Sequence, residues 1–333
     1  MAGLPALAVT LPQFRSDARV TIEALEHSYH LGYSGGFLFD HLWPLGQPDR
    51  PALECWTTLA ALAGRLSTLA AEAEDGGMGP AAASGRDSQP SRTSGPELAE
   101  GPGRFRLGTL VTRAGLRSSA LLAHMAKTVG SVAGVPPIVG IGTGDAGNRP
   151  ENEAFGIAYH VDPTKRAAEL LRAIDALRGP LGGTPAPPVW VGGTSHRAHG
   201  LAGRVADGWN GWGLHPDELA AGIAEVRRAA EDSGRDPAAI EPSWGGQVLV
   251  AEDAAEARAM LERWGADRAP EELARVLAGD GEHVVRRLVE LGEAGAVWCV
   301  LAFVGGPALR MRTLLAAASE LSIRRSAASR SNQ

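Results

Sequence analysis

The chain has 333 residues, of which 44% are hydrophobic and 21% charged, with a formal net charge of −6. This composition supports a large buried core and excludes a collagen-like or wholly disordered chain. Acids and arginines are interleaved, so there is no basic stripe of the kind that nucleic acid requires.

In chain order, short β-branched runs alternate with amphipathic stretches. Leu7 to Leu11 is the first strand, and Val20, Ile22, Leu25 and Tyr29 then recur at helical spacing within Ala18 to His30. Gly36 to Phe39 is the second strand, followed by a helix around Trp56 to Leu66. Phe105 to Val111 leads into Ser118 to Val129, and Pro137 to Ile141 into Thr164 to Leu177. Val189 to Val191 precedes Ser195 to Val205, and Gly208 to Trp212 precedes Pro216 to Ser233. Gln247 to Val250 is followed by Ala254 to Trp264 and by a further helix from His283 to Leu291. Val297 to Val304, with a helix from Ala308 to Leu321, ends the series.

Strict β-then-α alternation argues for a parallel sheet, and eight units are the number that closes a barrel. A doubly wound sheet would need a phosphate loop after the first strand, where this chain has Leu-Pro-Gln-Phe. The expected fold class is therefore α/β, a single (β/α)8 TIM barrel over residues 1–323. From Ala73 to Arg104 there is almost no large apolar side chain, and such a stretch buries too little surface to offset its ordering entropy. It reads as a disordered insertion between the second helix and the third strand, on the face away from the barrel mouth. Residues 324–333 read as a disordered tail.

Three fragments stand where strands end: Phe39 to Trp43, Gly142 to Asp145 and Val189 to Thr194. Strand C-termini of such a barrel all open on one mouth, so acid–base groups and a glycine turn from separate strands converge there. Cys55 and Cys299 lie far apart in apolar runs and read as packed thiols; no metal set is expected by spacing. The chain has no basic start followed by a long apolar run and no stretch approaching a membrane span. A cytoplasmic protein acting on a small molecule, without membrane or nucleic acid, is the expectation.

The fragments Phe39-Asp40-His41-Leu42-Trp43, Glu54 to Leu59, Arg106 to Thr112, Gly140 to Asp145, Val189 to Gly193 and Ala206 to Asn210 together resemble the bacterial luciferase-like superfamily. The Asp-His pair and the acid directly after Gly-Thr-Gly resemble its branch that uses the deazaflavin coenzyme F420. The resemblance covers nearly the whole chain outside the insertion and tail. It implies an F420-dependent oxidoreductase passing hydride to or from a small organic substrate, and a homodimer. An FMN-dependent monooxygenase and a barrel that binds flavin without turnover are the alternatives it leaves open. Where sugar-phosphate dehydrogenases of the branch hold glutamate, this chain has the shorter Asp145, and the loop after Trp212 has no lysine for a substrate phosphate.

Within that frame His41 is the first catalytic candidate, because imidazole can trade a proton near neutral pH; its plain alternative is a rim histidine satisfied by backbone. Asp145 is the second, its alternative being a turn cap. Gly192, Gly193 and Thr194 fit a phosphate cradle at the start of a helix, and Asp40, Thr143, Gly144 and Asn148 are implied as further cofactor contacts. Leu110 and Val111 are implied behind the ring, where relatives often carry a bulge with a non-proline cis peptide, and Thr112 at its edge. Trp43 and Trp212, with Trp209, are candidates for the walls of an apolar substrate pocket. His124, His196 and His199 read as surface or interface residues. Only Arg178 to Pro188 joins the fourth-strand helix to the fifth strand, where relatives have a longer segment, and a more open mouth is expected from this.

Overall fold

The computed structural model describes residues 4–75, 105–305 and 310–320. Parallel strands β1 (Ala6–Thr10), β2 (Gly35–Leu38), β3 (Arg106–Arg113), β4 (Ile138–Gly142), β5 (Val189–Gly192), β6 (Gly208–Trp212) and β7 (Glu241–Ala251) are hydrogen-bonded in sequence order. After β8 (Leu277–Asp280), strand β9 (Trp298–Phe303) pairs with both β7 and β1, which closes an eight-stranded barrel. Around it lie α1 (Arg19–His30), α2 (Cys55–Asp75), α3 (Ser119–Ala133), α4 (Arg149–Ala154), α5 (Pro163–Arg178), α6 (His196–Val205), α7 (Pro216–Glu231), α8 (Ala254–Gly265), α9 (Pro270–Ala274), α10 (Gly281–Glu293) and a helix over 310–320. The fold is the (β/α)8 barrel that the alternation implies.

Period-two alternation sorts the strand side chains into two cores. Inside the barrel Ala8, Phe37, Leu110, Ile138, Trp190 and Val300 pack together, with Trp190 stacked on Phe37 at 5.8 Å and edge-on to Trp298 at 5.7 Å. Their neighbours Leu7, Val9, Leu38 and Val139 face outward onto Leu25, Leu59, Leu122 and other helix residues. Three aromatic rings lie over the inner core at the mouth. Phe39 stacks on Phe14 at 6.1 Å and meets Trp212, from the opposite side of the barrel, edge-on at 5.5 Å.

Four details differ from the sequence reading. Strand β7 is 11 residues long rather than four, because Pro242, Gly245 and Gly246, which look like turn residues, lie within it. Its first part pairs with β6 and β9, while its last four residues extend beyond the barrel and pair with β8, a ninth strand that the periodicity did not reveal. Helix α2 runs to Asp75, well past Leu66, so Ala73 to Asp75, expected to open the disordered insertion, are its last residues. The short helices α4 and α9 are likewise absent from the periodicity. The expected disorder of the insertion beyond Asp75 and of the tail 324–333 falls outside the described residues.

The expectation about the mouth is corrected too. The connection from Arg178 to Pro188 follows a helix and enters a strand, and Val139 N–H at the start of β4 donates to Pro188 O at 2.8 Å. It therefore lies at the face opposite the mouth and cannot cap it. The segment beside the mouth is 143–162, between β4 and α5, which contains α4.

Candidate active site

The C-terminal ends of β2 to β5 form one continuous side of the mouth. At the end of β2, Asp40 has no exposed surface. Arg117, after β3, clasps it with both guanidinium nitrogens, one of them 3.1 Å from Asp40 Oδ1, and reaches Glu54 Oε1 at 3.0 Å. Thr112 Oγ1 donates to Asp40 and lies 3.4 Å from Trp56 Nε1. Burial pulls the Arg117 guanidinium down, but Asp40 and Glu54 outweigh it and raise its pKa. Asp40 and Thr112 thus spend their polar atoms within this buried network and support the mouth from behind.

His41 is the next residue, and its side chain is 22% exposed. Its Nδ1 lies 3.0 Å from Glu151 Oε2, the backbone N–H of Leu42 donates to Glu151 Oε1, and Arg113 Nη2 sits 2.9 Å from Oε2 as an ion pair. Arg113 also donates to Asn152 Oδ1 at 2.7 Å. The Glu151 side chain is only 1% exposed. Burial alone would push its carboxyl up, but the bonds from His41 and Leu42 and the charge of Arg113 outweigh it and hold the pKa below the ordinary range. An ionised carboxylate only accepts, so His41 carries its proton on Nδ1 and presents Nε2 as the second ring nitrogen.

Glu151 and Arg113 were not singled out from the sequence. A signal for Glu151 was present: Asn148, Pro150 and an acid in the first turn are helix-start residues, and they place Glu151 and Asn152 on α4, beside His41. Nothing local marks Arg113 as the partner.

Asp145 caps the turn before α4. Its Oδ1 accepts from Gly147 N–H at 2.8 Å, while Asn148 Oδ1 accepts from Asp145 N–H at 2.9 Å. Asp145 is exposed, whereas Asn148 is buried. Thr143, Gly144 and Asn148 line a crevice that also includes Arg113, Asn152, Tyr159 and Arg166.

Strand β3 bulges at the mouth. Its register with β4 shifts between Thr109 and Thr112, and the Leu110–Val111 peptide is cis. Val111 occupies the space that side chains on the next two strands would need. A Cβ on Gly192 would lie 2.7 Å from Val111 Cγ1, and one on Gly142 3.0 Å from Cγ2. Gly193 follows at φ +131°, and Trp209 Nε1 donates to its carbonyl at 2.8 Å. Thr194 is exposed, and Ser195 caps α6 by accepting from Ala198 N–H at 3.2 Å. The first turn of α6 thus lies beside an exposed turn, at the end of a helix whose geometry in general favours an anion.

Trp43 contacts Phe155 at 5.6 Å between ring centroids, while Trp212 covers the inner core. Trp209 is fully buried, against α6 and α7. It cannot wall a pocket, because its ring points outward from the barrel. The thiol of Cys55 is fully buried, and burial with nearby Asp40 and Glu54 pushes its pKa well up.

A family model described as luciferase-like monooxygenase matches residues 98–297. The phthiodiolone/phenolphthiodiolone dimycocerosates ketoreductase of Mycobacterium kansasii is 32% identical over 175 residues, which are 46% of this chain and 47% of that protein. The ketoreductase of the same name from Mycobacterium tuberculosis is 32% identical over 165 residues, 43% of this chain and 42% of its own. The chain thus spans about half the length of the curated relatives it matches. Among solved structures, an F420-dependent secondary alcohol dehydrogenase in complex with an F420-acetone adduct shares the fold at TM-score 0.71 and 14% identity, over 94% of this chain and 98% of that one. The monooxygenase RslO1 from Streptomyces bottropensis does so at TM-score 0.66 and 15% identity, over 93% and 97%. The chain belongs to the luciferase-like monooxygenase family.

Proposed function

We propose that this member of the luciferase-like monooxygenase family is an oxidoreductase that uses coenzyme F420 to interconvert a ketone and a secondary alcohol at the mouth of its barrel. The observation that carries the reading is the buried Glu151 holding Nδ1 of a part-exposed His41. That pairing fixes tautomer and ring orientation, so Nε2 can take the proton of an alcohol O–H or return it to a developing alkoxide. Arg113 and the Leu42 N–H keep Glu151 ionised opposite the ring.

The residues present fit a deazaflavin with an anionic arm. The turn at Gly192, Gly193 and Thr194 opens onto the N–H groups of α6, and Thr143, Gly144 and Asn148 line the neighbouring crevice. Leu110 and Val111 would back the ring, and Asp40 and Thr112 would support it through the network below. Asp145 would shape the rim through the turn it caps. The bound coenzyme supplies or accepts the hydride; the barrel's part is to fix the two reacting carbons in contact. Trp43, Phe155 and Trp212 offer apolar surface to a substrate chain. The names of the ketoreductase relatives and of the alcohol dehydrogenase structure support the ketone–alcohol pair.

The family description and the likeness to RslO1 support a second reading, an FMN-dependent monooxygenase. Equilibrium titration with F420 and with FMN separates the two, followed by anaerobic mixing of reduced F420 with a panel of ketones. Tighter F420 binding and ketone-dependent reoxidation are expected. Preferential FMN binding with oxygen consumption overturns the proposal. His41→Ala should lower turnover by about 10²–10⁴-fold while leaving coenzyme affinity within a few-fold; unchanged turnover removes His41 from the chemistry.

A further inference from the structure

We infer that His196, His199 and Glu225 form a site for one divalent transition-metal ion, zinc by its donor set, on the outside of the barrel between α6 and α7. The two histidines stand three residues apart on α6, which puts both imidazoles on one helical face. Glu225 comes from the neighbouring α7. Its Oε2 lies 2.7 Å from Nδ1 of His196 and 2.7 Å from Nδ1 of His199, and one ligand atom from each of the three residues falls within 4.8 Å of the others. Among the described residues no arginine or lysine is paired with this carboxylate.

The cluster turns the Nδ1 atoms of both imidazoles toward one carboxylate oxygen. Nε2 of His199 is buried without a hydrogen-bond partner, and the imidazole is packed perpendicular to the Trp209 ring, 5.0 Å between centroids. Packing thus holds the ring in place and leaves it to act through Nδ1, the atom beside Glu225.

The mounting is rigid. A Cβ on Gly203 would lie 2.3 Å from Val226 O, so α6 and α7 are in close backbone contact just beyond the cluster. Ligand atoms around a tetrahedral zinc stand about 3.3 Å apart at bond lengths of about 2.0–2.2 Å. The two Glu225–histidine separations of 2.7 Å fall short of that value, and all three ligand atoms lie within 4.8 Å of one another. Two imidazoles and a carboxylate suit zinc and its transition-metal neighbours, whereas calcium and magnesium prefer all-oxygen sets. His196 has a side chain 92% exposed against 9% for His199 and 31% for Glu225. The fourth position therefore opens to water, and the site is one of attachment from solvent. His196 is also the first residue of α6, three beyond Gly193, so the ion would tie the open turn at the mouth to α7.

Calorimetric titration of tag-free, chelator-treated protein with Zn²⁺, and visible absorption on titration with Co²⁺, test the inference. Binding of about one equivalent is expected, with the strong absorption of tetrahedral Co²⁺. At a hundred-fold excess of zinc over Kd, Tm should rise by roughly 5 °C. His196→Ala, at an exposed position that leaves the fold intact, should weaken binding at least ten-fold, and Glu225→Gln should do the same. Absence of one-equivalent binding overturns the site. So does binding that His196→Ala and Glu225→Gln leave unchanged.

Discussion

The two flanks of the barrel mouth are built on opposite principles. At the ends of β2 and β3 the chain buries charge: Asp40 against Arg117, and Glu151 between His41 and Arg113. At the ends of β4 and β5 it removes side chains, so that Gly142 and Gly192 yield their volume to Val111 and the turn at Gly193 leaves backbone N–H groups open. The first flank obtains direction and charge at a high desolvation cost that only complete pairing offsets. The second obtains shape at almost no electrostatic cost but tolerates no added atom. A site of the proposed kind, which would both move a proton and hold a flat ring, has reason to keep these two tasks on separate strands.

Removing one partner on the charged flank should break it most severely. Arg117→Leu leaves Asp40 buried with an uncompensated charge, and a loss of about 3–5 kcal/mol is expected, read as the shift in urea midpoint. A loss within 1 kcal/mol would mean that Thr112 and water suffice for Asp40.

Glu151→Gln sharpens the contrast through pH. The folded pKa of Glu151 lies below its ordinary value of 4.5, so its ionised form contributes stability that is complete above pH 4.5 and is lost as pH falls through the depressed value. The variant should begin about 2–3 kcal/mol less stable at pH 7, since a hydrogen bond to charged groups is lost. Its Tm should then decline less than that of the parent on acidification below pH 4.5. Parallel declines would show that other carboxylates govern acid unfolding.

On the shaped flank the expected effects are smaller and of another kind. Gly192→Ala places a methyl 2.7 Å from Val111 Cγ1 and should cost about 1–3 kcal/mol by overpacking. Val111→Ala in the same chain should restore much of it. A double-mutant cycle without coupling would show that the glycine serves something other than the bulge.

The difference between the flanks also separates what is readable along the chain from what is not. Gly-Thr-Gly-Asp after β4 and Gly-Gly-Thr after β5 are contiguous, and their meaning as strand-end turns needs only local chemistry. Their deeper cause does not show in the sequence, because the bulge of β3 that claims the space lies about thirty and eighty residues earlier. The charged flank is less legible still. Asp40 meets Arg117 across 77 positions and His41 meets Glu151 across 110, and no spacing rule reaches that far. Hence His41 was picked out while the carboxylate that orients it was not. Asp145, the acid that the sequence put forward, proves to cap the turn leading to α4.

By itself the sequence determined the architecture, because hydrophobic alternation and turn residues act over a few positions and eight repeats of one unit admit few closures. It also marked the strand ends where side chains would gather. Tertiary structure decided which of those side chains pair, which glycines make room and for what, and that two helix histidines share one carboxylate. Such choices depend on desolvation and close packing between segments that meet only when the barrel closes.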